Sequence, residues 1–355
     1  MELLTERRAL ADVVNIGPKA KRAYRVELWL LALALIGIVQ LVGVPNMDDY
    51  FLTIAIFAGI NITMAVSLNL VNGFTGQFSM GHAGFMAVGA YAASAFSIFL
   101  RAQMPDIFVV EITRHISFAA ALMVGGCAAA LSGYIVGLPS LRLKGDYLAI
   151  VTLGFGEIIR VLILNTDAIG GARGLPDIPK ITNFAWVYSV ALICTFVVWR
   201  LVKSPYGREL LAVREDEIAA VSVGVNTTQA KVRAFVVGAF FAGTGGALFG
   251  HYLMFLTPSS FDFNRSFEFI IMVVLGGMGS ISGSIIAALF LTGIREALRD
   301  LQEWRMIIYS LTLIAMMLIR PKGLLGTREI FQYLPTRWRM FFGSEDLPEH
   351  RKPGS

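Results

Sequence analysis

The chain is 355 residues long, 56% hydrophobic and only 15% charged, with a formal net charge of +5. A water-soluble domain has roughly a quarter of its residues charged, so lipid is the solvent for most of this sequence. Its cations flank apolar runs and form no surface interleaved with aromatic residues, which excludes nucleic acid as a partner and names the lipid bilayer instead.

Residues 1–26 carry charges of both signs and read as a cytoplasmic N-terminal arm. The first apolar run, 27–44, is followed by no small-residue cleavage pattern, so it is expected to be retained as a span. Further spans are predicted at 51–71, 82–100, 117–138, 147–164, 184–202, 233–256, 268–294 and 306–319. The runs 51–71 and 235–256 contain no Lys, Arg, Asp or Glu. Roughly 20 residues cross the hydrocarbon core, and both runs reach that length. Cys127 and Cys194 fall inside apolar runs and read as buried thiols, with no disulfide framework.

Lys19, Lys21, Arg22 and Arg25 precede the first span, and Arg320, Lys322 and Arg328 follow the last. Cytoplasmic flanks collect such cations, which puts both termini in the cytoplasm. Nine crossings would leave them on opposite sides. The segment 268–294 resolves the conflict, because its centre reads "LGGMGSISG" and splits it into two short helices. The expected fold is an all-α polytopic membrane protein with about 8–10 transmembrane or part-spanning helices. A membrane domain is expected at 27–326, followed by a cytoplasmic tail at 327–355.

Between the second and third spans the chain reads "NGFTGQFSMGH" (72–82). Unpaired backbone groups in hydrocarbon cost several kcal/mol each, so such a break must line a cavity or pack inside the bundle. Packing alone does not require Gln77, Ser79 and His82 there together. The spacing Gly73-x-x-Gly76-x-x-Ser79 recurs as Gly276-x-x-Gly279-x-x-Ser282, a hint of two loosely similar halves. Stripes of small residues follow the first break (Gly81, Gly84, Gly89, Ala93) and fill 235–256 (Gly238, Ala242, Gly246, Gly250), and they read as close helix packing.

Glu157 and Arg160 are three apart on one helix face, either as a structural pair or as an outer gate or substrate contact. His251 reads as a satisfied core histidine. Residues 203–231 form the longest charged loop and would lie in the cytoplasm. Within it Leu210, Val213, Ile218 and Val221 approximate one apolar stripe, stopped by Gly224, which a soluble partner could grip. No G-x-x-x-x-G-K-[ST] loop exists, so ATP cannot be bound in that way, and no metal site or cofactor is expected. An intramembrane protease using Ser79 and His251 would need a positioned base and an oxyanion site, neither of which the spacing guarantees.

Four motifs carry a resemblance: "NGFTGQFSMGHAGFMAVGAY" (72–91), "LRLKGDYLAIVTLGFGEIIR" (141–160), "GRELLAVREDEIAAVSVGVN" (207–226) and "VLGGMGSISGSIIAA" (274–288). In order and spacing the chain resembles the permease subunits of branched-chain amino acid ABC importers, the LivM type. The resemblance implies a type II importer-like fold in a bacterial inner membrane. It also implies a second related permease, two cytoplasmic ATPase subunits and a periplasmic amino-acid-binding protein. The family's ATPase-docking pattern carries over to Glu217, Ala219, Ala220 and Gly224, with Ile218 inserted, and to Arg208, Arg214, Glu215 and Asp216 around them. The translocation route would involve Asn72, Gly73, Gly76, Gln77, Ser79, His82, Gly276, Gly279 and Ser282, touching a zwitterionic amino acid weakly. A permease for urea or another small amide or acid, and an ion-coupled secondary transporter, are the alternatives.

Overall fold

A spanning backbone must satisfy its own N–H and C=O groups, which selects helices for runs this apolar. The computed structural model describes residues 29–104, 110–141 and 146–298, together with 310, 311, 314, 318, 323–326, 329 and 330. The N-terminal arm, the flanking cations used to assign topology, most of the span expected at 306–319 and the tail beyond 330 lie outside the described residues.

Seven described helices are long and apolar enough to cross a membrane: α1 (Trp29–Asn46), α2 (Asp49–Phe74), α3 (His82–Gln103), α4 (Glu111–Ser140), α5 (Asp146–Leu164), α6 (Phe184–Val202) and, later in the chain, α9 (Thr227–Leu253). Two short helices, α7 (Pro205–Glu215) and α8 (Glu217–Ser222), lie between α6 and α9. Two part-length helices follow, α10 (Phe263–Gly276) and α11 (Ile281–Ala297). Among the described residues there is no sheet, only an isolated bridge between Leu175 and Leu256. The fold is an all-α polytopic membrane protein.

The expected split of 268–294 is present, but the two arms together run from 263 to 297. Asp262 caps α10 by accepting from the Arg265 N–H at 3.0 Å, which starts the helix earlier than hydropathy suggests. At about 1.5 Å per residue the two helices measure roughly 21 and 26 Å, short of the hydrocarbon core of about 30 Å. The loop expected at 203–231 ends at 226, because the Asn226 side chain caps α9 by accepting from the Gln229 N–H at 3.0 Å. Lys231 therefore stands in the second turn of a helix, and not in a loop. Cys194 is buried as expected, whereas Cys127 is exposed on α4.

The centre of the bundle is the triple packing of α3, α4 and α9, and glycine makes it possible. A Cβ on Gly89 would run into the backbone of Gly243, one on Gly243 into Ala129, and one on Gly246 into the Met86 carbonyl. Backbones approach to contact wherever these residues meet, which is the geometry small-residue stripes permit. His251 closes the far end of the same interface. Its Nδ1–H donates to the Ala247 carbonyl at 2.8 Å, and Nε2 faces the Ser97 hydroxyl at 2.8 Å. The ring is a satisfied core histidine paired with Ser97, so the Ser79–His251 dyad is absent.

Replacing Gly89 by Val is expected to wedge α3 from α9 and destabilise the bundle by about 1–3 kcal/mol. Gly154→Ala, at a site with open space around its Cα, should leave stability within about 0.5 kcal/mol of the parent. Thermal unfolding in detergent, followed by loss of the monodisperse peak, separates the two.

Candidate functional site

The helix–break–helix segments place polar backbone inside the bundle, so each freed group needs an identified partner. At the first break, α2 widens into a π-helical last turn (Leu70–Phe74). The chain turns at Gly76, whose φ of +69° suits glycine, and continues through 77–81 without regular secondary structure. It is satisfied mainly by side chains. The Ser79 N–H donates to Asn72 Oδ1 at 3.2 Å, and the Met80 N–H to Thr152 Oγ1 on α5 at 3.0 Å. The Ala83 N–H, in the first turn of α3, donates to Ser266 Oγ on α10 at 3.1 Å. His82 Nε2 lies 2.9 Å from Ser67 Oγ, and its ring meets Phe269 edge-on. Thus α3 starts level with Ser67, seven residues before the end of α2 at Phe74.

At the second break, α10 ends at Gly276 and the chain turns through Gly277 and Gly279, with φ of +111° and +91°. Ser280 caps α11 by accepting from the Gly283 N–H at 3.1 Å. The glycine spacing repeats in geometry as far as the second glycine, since Gly76 and Gly279 both hold positive φ. It fails at the serines. Ser79 lies in the irregular stretch between α2 and α3, while Ser282 sits in the first turn of α11, where its N–H and hydroxyl both donate to the Glu329 carboxylate.

The two breaks meet. Asn69 on α2 donates through Nδ2 to the Ser280 carbonyl at 2.8 Å and accepts from the Gly279 N–H through Oδ1 at 2.9 Å. A Cβ on Gly73 would run into Asn69 and the Gly279 amide. Asn72, Gly73, Gln77, Ser79 and His82 are buried, while Gly76 is exposed at the tip. Both amide atoms of Gln77 and the Ser79 hydroxyl are buried with no hydrogen-bond partner among the described residues.

The helices α7 and α8 pack at this end of the bundle. The expectation of one apolar stripe is corrected: Asp216 adopts an extended backbone (φ −157°, ψ 110°) and divides the element. Leu210 and Val213 on α7 are buried, whereas Ile218, Val221 and Val223 are exposed, at 74, 56 and 79%. Asp216 caps α8 by accepting from Ile218 and Ala219 N–H at 2.8 and 3.1 Å. Glu217 accepts from the buried Lys231 ammonium at 2.7 Å. Ala220 is buried, Ala219 exposed, and Gly224 ends the unit with φ of +87°. Arg208 is exposed, Glu215 pairs with Arg214, and Arg214 itself points inward, its Nη1–H donating to the Gly73 carbonyl at 3.2 Å.

The family described as "Branched-chain amino acid transport system / permease component" matches residues 50–319, a stretch that spans both breaks and the α7–α8 element between them. The chain belongs to this family. The permease is 36% identical over 336 residues to the high-affinity branched-chain amino acid transport system permease protein LivM of Salmonella typhimurium, covering 84% of this chain and 75% of the relative. It is 38% identical over 307 residues to the LivM protein of Escherichia coli, covering 77% and 69%. The LivH permease protein of Escherichia coli is 25% identical over 289 residues, covering 75% and 91%. No solved structure matches the chain significantly.

Glu157 and Arg160 pair on α5 at 2.8 Å and join neither break. Glu157 borders a crevice of about 10 Å³ with Met80, Gly84, Asp262 and Ser266. Sequence reading of the permease missed Asn69, Thr152 and Ser266, ordinary polar residues whose partners lie far along the chain. It also missed a network at the opposite end, where Glu268 bonds Arg265 at 3.0 Å and Arg295 of α11. There the Arg265-x-x-Glu268 spacing repeats that of Glu157 and Arg160 and was a readable signal.

Asn69→Ala removes two buried hydrogen bonds and strands their partners, which should cost about 2–5 kcal/mol. Hydrogen exchange of the 277–280 amides should accelerate in this variant while exchange in the α3–α9 interface stays slow.

Proposed function

We propose that this permease forms half of the passage of an ATP-driven importer for branched-chain amino acids in a bacterial inner membrane, both termini cytoplasmic. Its partners are a second related permease, two ATPase subunits bound through α7 and α8, and a periplasmic amino-acid-binding protein. The chain carries no catalytic site of its own in this reading. Family membership and the named relatives support the transport role. One observation carries the docking assignment: Ile218 and Val221 on α8, with Val223 just after it, stand exposed, while the flanking α7 buries Leu210 and Val213. Apolar side chains raised among charged ones suit a protein partner better than water.

The passage is assigned to Asn72, Gly73, Gly76, Gln77, Ser79, His82, Gly276, Gly279 and Ser282. Gln77 and Ser79 support this most, because a buried amide and hydroxyl without partners cost about 1–3 kcal/mol each and call for an intermittent partner. Charge reversal across Glu215, Asp216 and Glu217 would unmake the α8 cap and the partner of Lys231, so it tests folding together with docking. Ile218→Asp with Val221→Asp leaves both interactions in place. That pair is expected to lose ATPase co-purification, and leucine uptake into vesicles, by at least about tenfold. Full co-purification would remove α8 from the docking surface.

Gly76→Leu and Gly279→Leu force a β-carbon into left-handed backbone at about 1–2 kcal/mol each. Both should abolish ATP-driven uptake while the complex still assembles on size exclusion. Normal uptake in both would take the breaks out of the passage.

A further inference from the structure

Among the described residues three ion pairs involve the α7–α8 element, and they lead to different places. Arg233 reaches Glu209 at 3.9 Å and Lys231 reaches Glu217 at 2.7 Å, so both tie the element to the first turns of α9. The third, Arg214 with Glu215 at 2.7 Å, holds a guanidinium that continues inward to the glycine breaks.

Arg214 is the penultimate residue of α7, following the buried Val213, and only 25% of its side chain is exposed. Glu215 accepts from Nε and Nη2 at 3.2 and 2.7 Å, which fixes one edge of the planar group. The other edge, Nη1, donates to the Gly73 carbonyl at 3.2 Å. That carbonyl belongs to the last turn of α2, where C=O groups lack intrahelical partners and the helix end is partly negative. A cation is the favoured partner there.

The glycines are sized to this side chain. A Cβ on Gly76 would lie 2.9 Å from Arg214 Cγ, and one on Gly279 would lie 2.8 Å from Nη1. One side chain thus touches the first break through Gly73 and Gly76 and the second through Gly279. Two of these positions hold positive φ, so each turn is a place where backbone can change direction. Arginine suits the role because its rigid fork serves two acceptors at once, which a lysine ammonium does less well.

We propose that Arg214 is the positioning residue that transmits movement of the α7–α8 element to both breaks, and that it is not a contact of the docked ATPase. This rests on the reading of α7–α8 as the ATPase-docking element. A shift of α7 would pull on the end of α2 and on the α10–α11 turn together, since Asn69 already joins those two.

The test uses the complete importer, with both permeases and both ATPases, in vesicles supplied with binding protein. ATP hydrolysis and leucine uptake are measured in the same preparation for wild type, Arg214→Met and Arg214→Lys. Arg214→Met is expected to retain the ATPase subunits and to hydrolyse ATP, but to import about tenfold fewer substrate molecules per ATP, the loss of one charged hydrogen bond. Arg214→Lys should recover part of that ratio. An unchanged ratio in Arg214→Met overturns the proposal, and so does loss of the ATPase subunits, which would make Arg214 a docking contact. If Arg214→Met fails to assemble, Glu215→Gln carries the test, with a smaller fall in the ratio expected and an unchanged ratio counting against the proposal. Failure of the docking reading is seen separately, as ATPase binding that survives Ile218→Asp with Val221→Asp while wild type imports normally.

Discussion

The contact between the two glycine-bearing turns constrains everything around it. Where α2 ends and where α10 turns into α11, backbone leaves the helix inside the bundle, and its polar groups have no water to fall back on. They satisfy each other's surroundings. Asn69 bonds both the amide of Gly279 and the carbonyl of Ser280, so one side chain serves as cap for a turn 210 residues away. Gly73 must be glycine because the second turn occupies the space a β-carbon would need.

Two mechanical regimes follow from this arrangement. The α3–α4–α9 centre is backbone against backbone, with the helices meeting at Gly89, Gly243 and Gly246. Such packing has few alternative arrangements, because interiors this dense do not deform continuously. The breaks are held instead by discrete side-chain bonds from Asn69, Asn72, Thr152, Ser266 and Arg214. The α10–α11 hairpin is gripped at its other end by Glu268, bonded to Arg265 and Arg295, and by Tyr50, which donates to Glu296 at 2.7 Å. Its open end is pinned by charge and its tip by hydrogen bonds to glycine turns. A shift at the tip therefore pivots the hairpin without detaching it.

Sequence reading reached the fold because the spans are apolar along their whole length, and it reached α6 at 184–202 to the residue. The glycine cluster at 276–279 also announced its turn, since positive φ at Gly277 and Gly279 leaves few other residues possible. The same uniform hydrophobicity hides which face of each helix meets protein and which meets lipid, and Cys127, inside an apolar run, stands exposed against expectation. The single stripe expected over 210–221 failed for a local reason. Asp216 satisfies its side chain as a helix cap, breaks the 3.6 period, and rotates Ile218 and Val221 out of register with Leu210 and Val213. The site eluded pattern reading for another reason: its decisive bonds, Asn69 to Gly279 and Arg214 to Gly73, join residues 210 and 141 apart. No periodicity records them.

Charge reaches the proposed passage at Gly73, through Arg214, and at Ser282, through Glu329, while the neutral side chains buried between them bear on where selectivity would arise. Asn72, Gln77 and Ser79 are neutral, while the charged groups nearby are already paired, Arg214 with Glu215 and Glu157 with Arg160. A zwitterion meeting neutral dipoles gains weak hydrogen bonds to each end, and trades them easily for water. A lining built with a free cation or carboxylate would bind one end tightly and hold the substrate in place, slowing release. In the proposed importer, neutral groups such as Gln77 would suit a route that must be entered and left, and would leave discrimination among substrates to the proposed binding protein.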